Sequence, residues 1–161
     1  MEITPRYREQ FAAMLAAANL GKIDPRITPE EFPDENFEDV NNGIRIVQPS
    51  CKWFDGYSTV LSSQIDAWLM SDEMTGREPA GLVEGLFFCA NHNLDYRFND
   101  WTDVVAWGSR SKSGLLMPSF RLRSPGGRSA ELLMAYRPDL PANKQDRFSI
   151  ELAFLVRSKR R

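Results

Sequence analysis

The chain has 161 residues, 42% hydrophobic and 26% charged, with a net charge of −2. That composition suits one compact domain with a single sizeable core and excludes a disordered or fibrous protein. The longest apolar stretch, 82–90, is broken by Glu84 and Gly85 and is too short to span a bilayer.

Thr4-Pro5 reads as an N-cap followed by proline at the first helical position, where its missing N–H costs nothing. Tyr7, Phe11, Met14, Leu15 and Ala18 then recur at helical spacing, and Gly21 is the expected stop. Thr28-Pro29-Glu30-Glu31 is a second helix start, but Pro33 leaves room for barely a turn. The region 28–42 is acidic and turn-rich, so an exposed arm or long loop is expected there. Residues 44–48 form a short strand candidate, stopped by Pro49.

Ser58–Met70 is the second predicted helix, with Val60, Leu61, Ile65, Trp68 and Leu69 on one stripe. Asp72 and Glu73 are expected beyond its last turn, away from the negative end of the helix dipole. Pro79 opens a third helix through Ala90, with a buried strand over 82–89 as the alternative, because so short a run does not fix the period. Asn99–Asp103 offers a cap for a short helix ending near Gly108. Residues 109–114 read as a flexible basic loop carrying Arg110 and Lys112.

The last third carries the clearest strand pattern. Leu115–Arg123 and Ser129–Arg137 flank Pro125-Gly126-Gly127, which is hairpin chemistry. Phe148, Ile150, Leu152, Phe154 and Val156 then alternate with Ser149, Glu151 and Arg157, as in a half-buried strand. The expected fold is α+β: N-terminal helices packed on a C-terminal antiparallel three-stranded meander, with the strand at 44–48 added. It is a single domain over 1–161, with an acidic arm at about 28–42 and a basic tail at 158–161.

Motifs that carry chemistry are scarce. His92 stands alone as a histidine; Cys89 and His92 have metal-like spacing, but a structural zinc site needs four such ligands in close pairs. Cys89, His92 and Asp95 could be strung into a nucleophile, base and acid, yet such triads are spatial, and adjacency in sequence does not support one. Ser109-x-x-Lys112 matches a fragment of the serine–lysine acylase pattern without its companion motifs. Asp66, Glu84, Asp95, Asp100 and Asp103 include no singled-out catalytic pair. No cofactor and no metal are expected. Two cysteines, Cys51 and Cys89, are too few for a disulfide framework, so a reducing interior is expected. The N-terminus lacks the order of a signal peptide, which makes the expected location cytoplasmic, or within a particle assembled there.

Charge is lopsided along the chain. Residues 1–40 hold nine acids and four bases, residues 41–100 eight and four, and residues 101–161 five and twelve. Arg121, Arg123 and Arg137 are expected on one sheet surface, with Arg110, Lys112 and Arg128 from loops and Lys159, Arg160 and Arg161 from the tail. Glu30, Glu31, Asp34, Glu35, Glu38 and Asp39 supply the acidic counterpart. Either the two sets pair within one molecule, or they complement each other between molecules. The expected function is a non-enzymatic protein-binding or assembly protein, a subunit of a homo-oligomeric or multi-protein structure such as a small viral or mobile-element particle. Its partner would be another protein or copies of itself, with no membrane. The alternatives are a nucleic-acid-associated protein using the basic sheet face, and an enzyme acting around His92. Nucleic-acid binding would want exposed aromatics on that face for stacking, and the alternation places none there.

Overall fold

The structure is a computed structural model that describes residues 2–38, 40, 43–49, 51–54, 59–91, 102–123, 127–134, 141, 147–149 and 152–159. The first helix, α1 (Pro5–Ala17), starts as its sequence dictates, with the Thr4 hydroxyl accepting from the Tyr7 N–H at 3.1 Å. Its end differs from expectation. Asn19, at φ 50°, takes the left-handed position assigned to Gly21, because the short polar side chain of asparagine tolerates that region. Gly21 instead runs beside the sheet, its N–H donating to the Arg128 carbonyl at 2.8 Å.

The remaining elements are β1 (Lys22–Ile23), β2 (Arg45–Val47), α2 (Cys51–Phe54), β3 (Thr59–Leu61), α3 (Ser62–Leu69) and a 3₁₀ turn at Asp72–Met74. After these come β4 (Arg77–Pro79), α4 (Leu82–Asn91), β5 (Thr102–Val105), β6 (Leu116–Arg123), β7 (Gly127–Met134), β8 (Arg147–Ser149) and β9 (Ala153–Ser158). Thus 82–91 is helical, and Pro79 ends a strand rather than opening that helix. The expected helix at 58–70 is split: Thr59-Val60-Leu61 pairs with β8 as a strand, and only Ser62–Leu69 is helical. The Gln64 side chain accepts from the Leu61 N–H at 2.8 Å and marks that boundary. No helix forms over 102–108; Thr102-Asp103-Val104-Val105 is a strand between β6 and β9, as its β-branched residues favour.

The fold is α+β, but the sheet is mixed, not an antiparallel meander. Its order is β1-β7-β6-β5-β9-β2, with β4 also on β9; β1 with β7 and β5 with β9 are parallel. The β6–β7 hairpin is present, with Arg123 opposite Gly127 and Leu116 opposite Met134. The final segment does not lie beside β7. It divides into β8, on a separate small sheet with β3, and β9 in the interior of the main sheet. Leu152, Phe154 and Val156 do share a buried face, and Ala153 and Leu155 are buried on the other. A strand covered on both sides reads as a continuous apolar run, and 152–156 is one. Phe148 and Ile150 lie outside the side chains described.

Each sheet face carries its own core. Phe11 of α1, Leu82, Leu86 and Cys89 of α4, and Phe32 pack with Val104, Phe120, Leu122, Ala130 and Leu155. Ile65, Trp68 and Leu69 of α3, with Met74, pack with Val105, Met117, Phe154 and Val156 on the other face. Gly85 fixes the approach of α4: a Cβ there would meet the Phe120 ring at 2.1 Å. No helix among the described residues is long and apolar enough to cross a membrane.

Candidate functional site

The register places a polar row across one end of the second face. Lys22 lies opposite Ser129, Ser129 opposite Arg121, and Arg121 opposite Asp103. Directly opposed residues share a face, so β1, β7, β6 and β5 each contribute one polar side chain to a single line. The adjoining row toward the core runs Glu131, Ser119, Val105, Phe154. Ser119, Val105 and Phe154 are buried there. The face is therefore apolar and covered at its β9 end and charged at its β1 end. Ser119 is buried, and Leu133 packs against the core of α3, so this face is closed away from its charged end.

At the charged end, Arg121 and Asp103 approach to 3.8 Å while about half exposed, at 50% and 44%. An exposed pair of that geometry holds little stability, of order 0–1 kcal/mol, and both groups can be recruited by a ligand. A groove of about 700 Å³ opens beside them, lined by Asn19, Leu20, Gly21 and Lys22 and by Arg121, Gly127, Arg128, Ser129 and Glu131. Arg123 is exposed on the same face, one row outward. Arg128 lies opposite Leu122 and so projects its side chain to the other face, close enough to Cys89 to act on its thiol electrostatically. Burial nevertheless dominates there and pushes that thiol up to about 12, which makes it unreactive as a nucleophile.

The other described basic residues singled out in the sequence lie elsewhere. Arg110 stacks on the Trp107 ring at 4.8 Å, donates to the carbonyls of Trp107 and Ser109, and is lowered from its usual range by burial. The backbone N–H of Lys112 donates to the Glu31 carbonyl at 2.6 Å. Lys159 follows β9, its N–H on the Gly76 carbonyl. Arg137, Arg160 and Arg161 lie outside the described residues.

The acidic arm is fastened rather than loose. Phe32 is buried, and the Phe37 ring meets those of Tyr7 and Phe11 at 5.2 and 6.3 Å. Glu30 pairs with Arg8. The Glu35 carboxylate reaches the N-terminus of α4, where it accepts from the Val83 N–H and from the Ser109 hydroxyl at 2.6 Å. Ser109 in turn accepts from the Leu82 N–H at 2.7 Å, and Glu84 accepts from the Gly81 N–H at 3.0 Å. Three side chains from three segments thus engage the Gly81, Leu82 and Val83 donors at the start of this helix. Glu84 also pairs with Arg157, which reaches Glu78 at 2.7 Å. Glu30, Asp34 and Glu38 are exposed, Glu31 is half-buried, and Asp39 lies outside the described residues.

These contacts bear on the catalytic candidates. The Ser109 hydroxyl donates to Glu35 and accepts from Leu82 while only 5% exposed, which is a helix cap with its hydrogen bonds committed. Asp66 accepts from the Trp107 indole at 2.9 Å, Glu84 is held by Arg157, and Asp103 by Arg121. His92, Asp95 and Asp100 lie outside the described residues. Among the described residues no cluster of three or more His, Cys, Asp or Glu could hold a metal. Sequence reasoning missed Lys22 and Asp103 as companions of Arg121; only strand register brings them together. It also missed the cap of α4, although Gly81 and Glu84 stand at the N-cap and N3 spacing of half a capping box. Comparison with family models, with curated proteins and with solved structures returns no match.

Proposed function

We propose that this is a non-enzymatic binding and assembly protein whose contact surface is the charged end of the sheet, and that its first partner is another copy of the same chain. The supporting observation is the line Lys22, Ser129, Arg121, Asp103 beside an open groove. It sits on a scaffold whose two sheet faces each carry an apolar core. The exposed arm acids Asp34 and Glu38 offer the complementary charge to Lys22, Arg121 and Arg123. A contact between two different patches repeats from copy to copy, closing into a ring or continuing as a filament.

Asp103 and Glu131 favour a protein over a nucleic acid as the occupant. Both carboxylates stand among the cations and would repel a phosphate backbone, while they can accept from lysine or arginine on a protein. The test is molar mass in solution across a salt series, with nucleic-acid carry-over read from the absorbance ratio. Self-association that weakens as salt rises supports the reading. A nucleic acid that co-purifies stoichiometrically and is released by salt overturns it.

A further inference from the structure

The junction of the arm with α4 lies apart from the charged end of the sheet. We infer that Glu35, Ser109 and Glu84 form a proton-operated clasp that holds the 28–38 arm closed on α4 and loosens it as pH rises toward neutrality. Glu35 is the only arm carboxylate among the described residues seen to enter the α4 cap, where it meets groups from every side. Its own backbone N–H donates to the Tyr7 hydroxyl at 3.1 Å, and that hydroxyl donates to the Phe32 carbonyl. Asp34 stands beside it on the arm. Glu84 faces it from α4, with its charge shared by Arg157 of β9, which is itself shared with Glu78 of β4. Ser109 faces it from the loop after β5.

The balance of these groups sets the direction. Burial pushes the Glu35 carboxyl up to about 7, the Ser109 hydroxyl and the Val83 N–H oppose that, and the charges of Glu84 and Asp34 add to it. An arm that has swung open returns Glu35 to water, where its ordinary value is 4.5. Between those two values the closed state holds a proton that the open state has lost. Closure is therefore fully favoured below about 4.5 and loses that contribution progressively as pH rises to about 7. The remaining anchors, Phe32, Phe37 and the Arg8–Glu30 pair, keep the arm attached, so the change is local opening and not unfolding.

The experiment is amide hydrogen exchange of the arm in the intact chain from pH 5 to 8, corrected for the intrinsic dependence of exchange on hydroxide. Protection of the arm should fall by about tenfold or more over that range, while amides of β6 and β7 hold theirs. Glu35→Gln removes the titrating group and should make arm protection independent of pH. Ser109→Ala removes a donor that favours the ionised form, so it should move the midpoint to higher pH; this variant decides the matter if Glu35→Gln does not fold. Arm protection that is flat with pH in the parent overturns the clasp. So does an unchanged slope in Glu35→Gln or an unmoved midpoint in Ser109→Ala.

Discussion

Ser109 and Glu35, 74 positions apart, are joined by a 2.6 Å hydrogen bond at the N-terminus of α4. The same hydroxyl accepts from the Leu82 N–H, so one small side chain ties the arm, the loop after β5 and a helix together. Replacing Ser109 with alanine strands a buried N–H and removes a donor from a buried carboxylate. The expected loss is ~1–3 kcal/mol by denaturant unfolding. A loss within error of zero would mean that the cap is made some other way.

Leu152 tests the placement of β9. It is 8% exposed within the core beneath α3, and Leu152→Ala should destabilise by ~2–5 kcal/mol. A near-zero effect would contradict a β9 buried on both faces.

Gly85 tests how α4 meets the sheet. Because a Cβ at that position would lie 2.1 Å from the Phe120 ring, Gly85→Ala should destabilise by ~1–3 kcal/mol, against the usual helical preference for alanine. Gly85→Ala combined with Phe120→Leu should recover part of that loss. If Gly85→Ala stabilises the protein instead, as helix propensity alone would have it, the α4–β6 packing is wrong.

Arg157 is the cation that Glu78 and Glu84 share. Arg157→Met leaves the buried Glu84 without its counter-charge, and a loss of ~3–5 kcal/mol is expected. Adding Glu84→Gln should restore a measurable part of it. Equal stability of the single and double variants would show that the pair contributes nothing.

Legibility followed the range of the interactions. The start of α1 was readable because Thr4, Pro5 and Tyr7 act within one turn, and the β6–β7 hairpin because turn residues stand between two strand patterns. What failed depends on distant partners. Val60 and Leu61 fit a helical stripe equally well, and only the presence of β8 makes them a strand. Leu152–Val156 shows alternation at its edges, but its interior place needs β5, β2 and β4 to pair with it, and its burial on both faces needs α4 on one side and α3 on the other. The charge asymmetry was visible, yet its meaning was not: Arg157 is consumed by Glu78 and Glu84, Arg110 by Trp107, and Glu35 by the α4 cap. Arg121 and Arg123 remain on an exposed face, and their neighbours Lys22 and Asp103 come from strands that no local pattern links to β6.

The most direct test of assembly through the charged end of the sheet is a reversal-and-rescue cycle read by sedimentation at low and high salt. The parent should self-associate at low salt and dissociate as salt screens contacts beyond a Debye length of ~8 Å at physiological strength. Arg121→Glu with Arg123→Glu should weaken that association, and so should Asp34→Lys with Glu38→Lys. An equimolar mixture of the two doubly reversed proteins should associate better than either alone, because each supplies the charge that the other's patch now needs. A parent that stays monomeric at every salt concentration, or reversals that leave its association unchanged, would contradict the account.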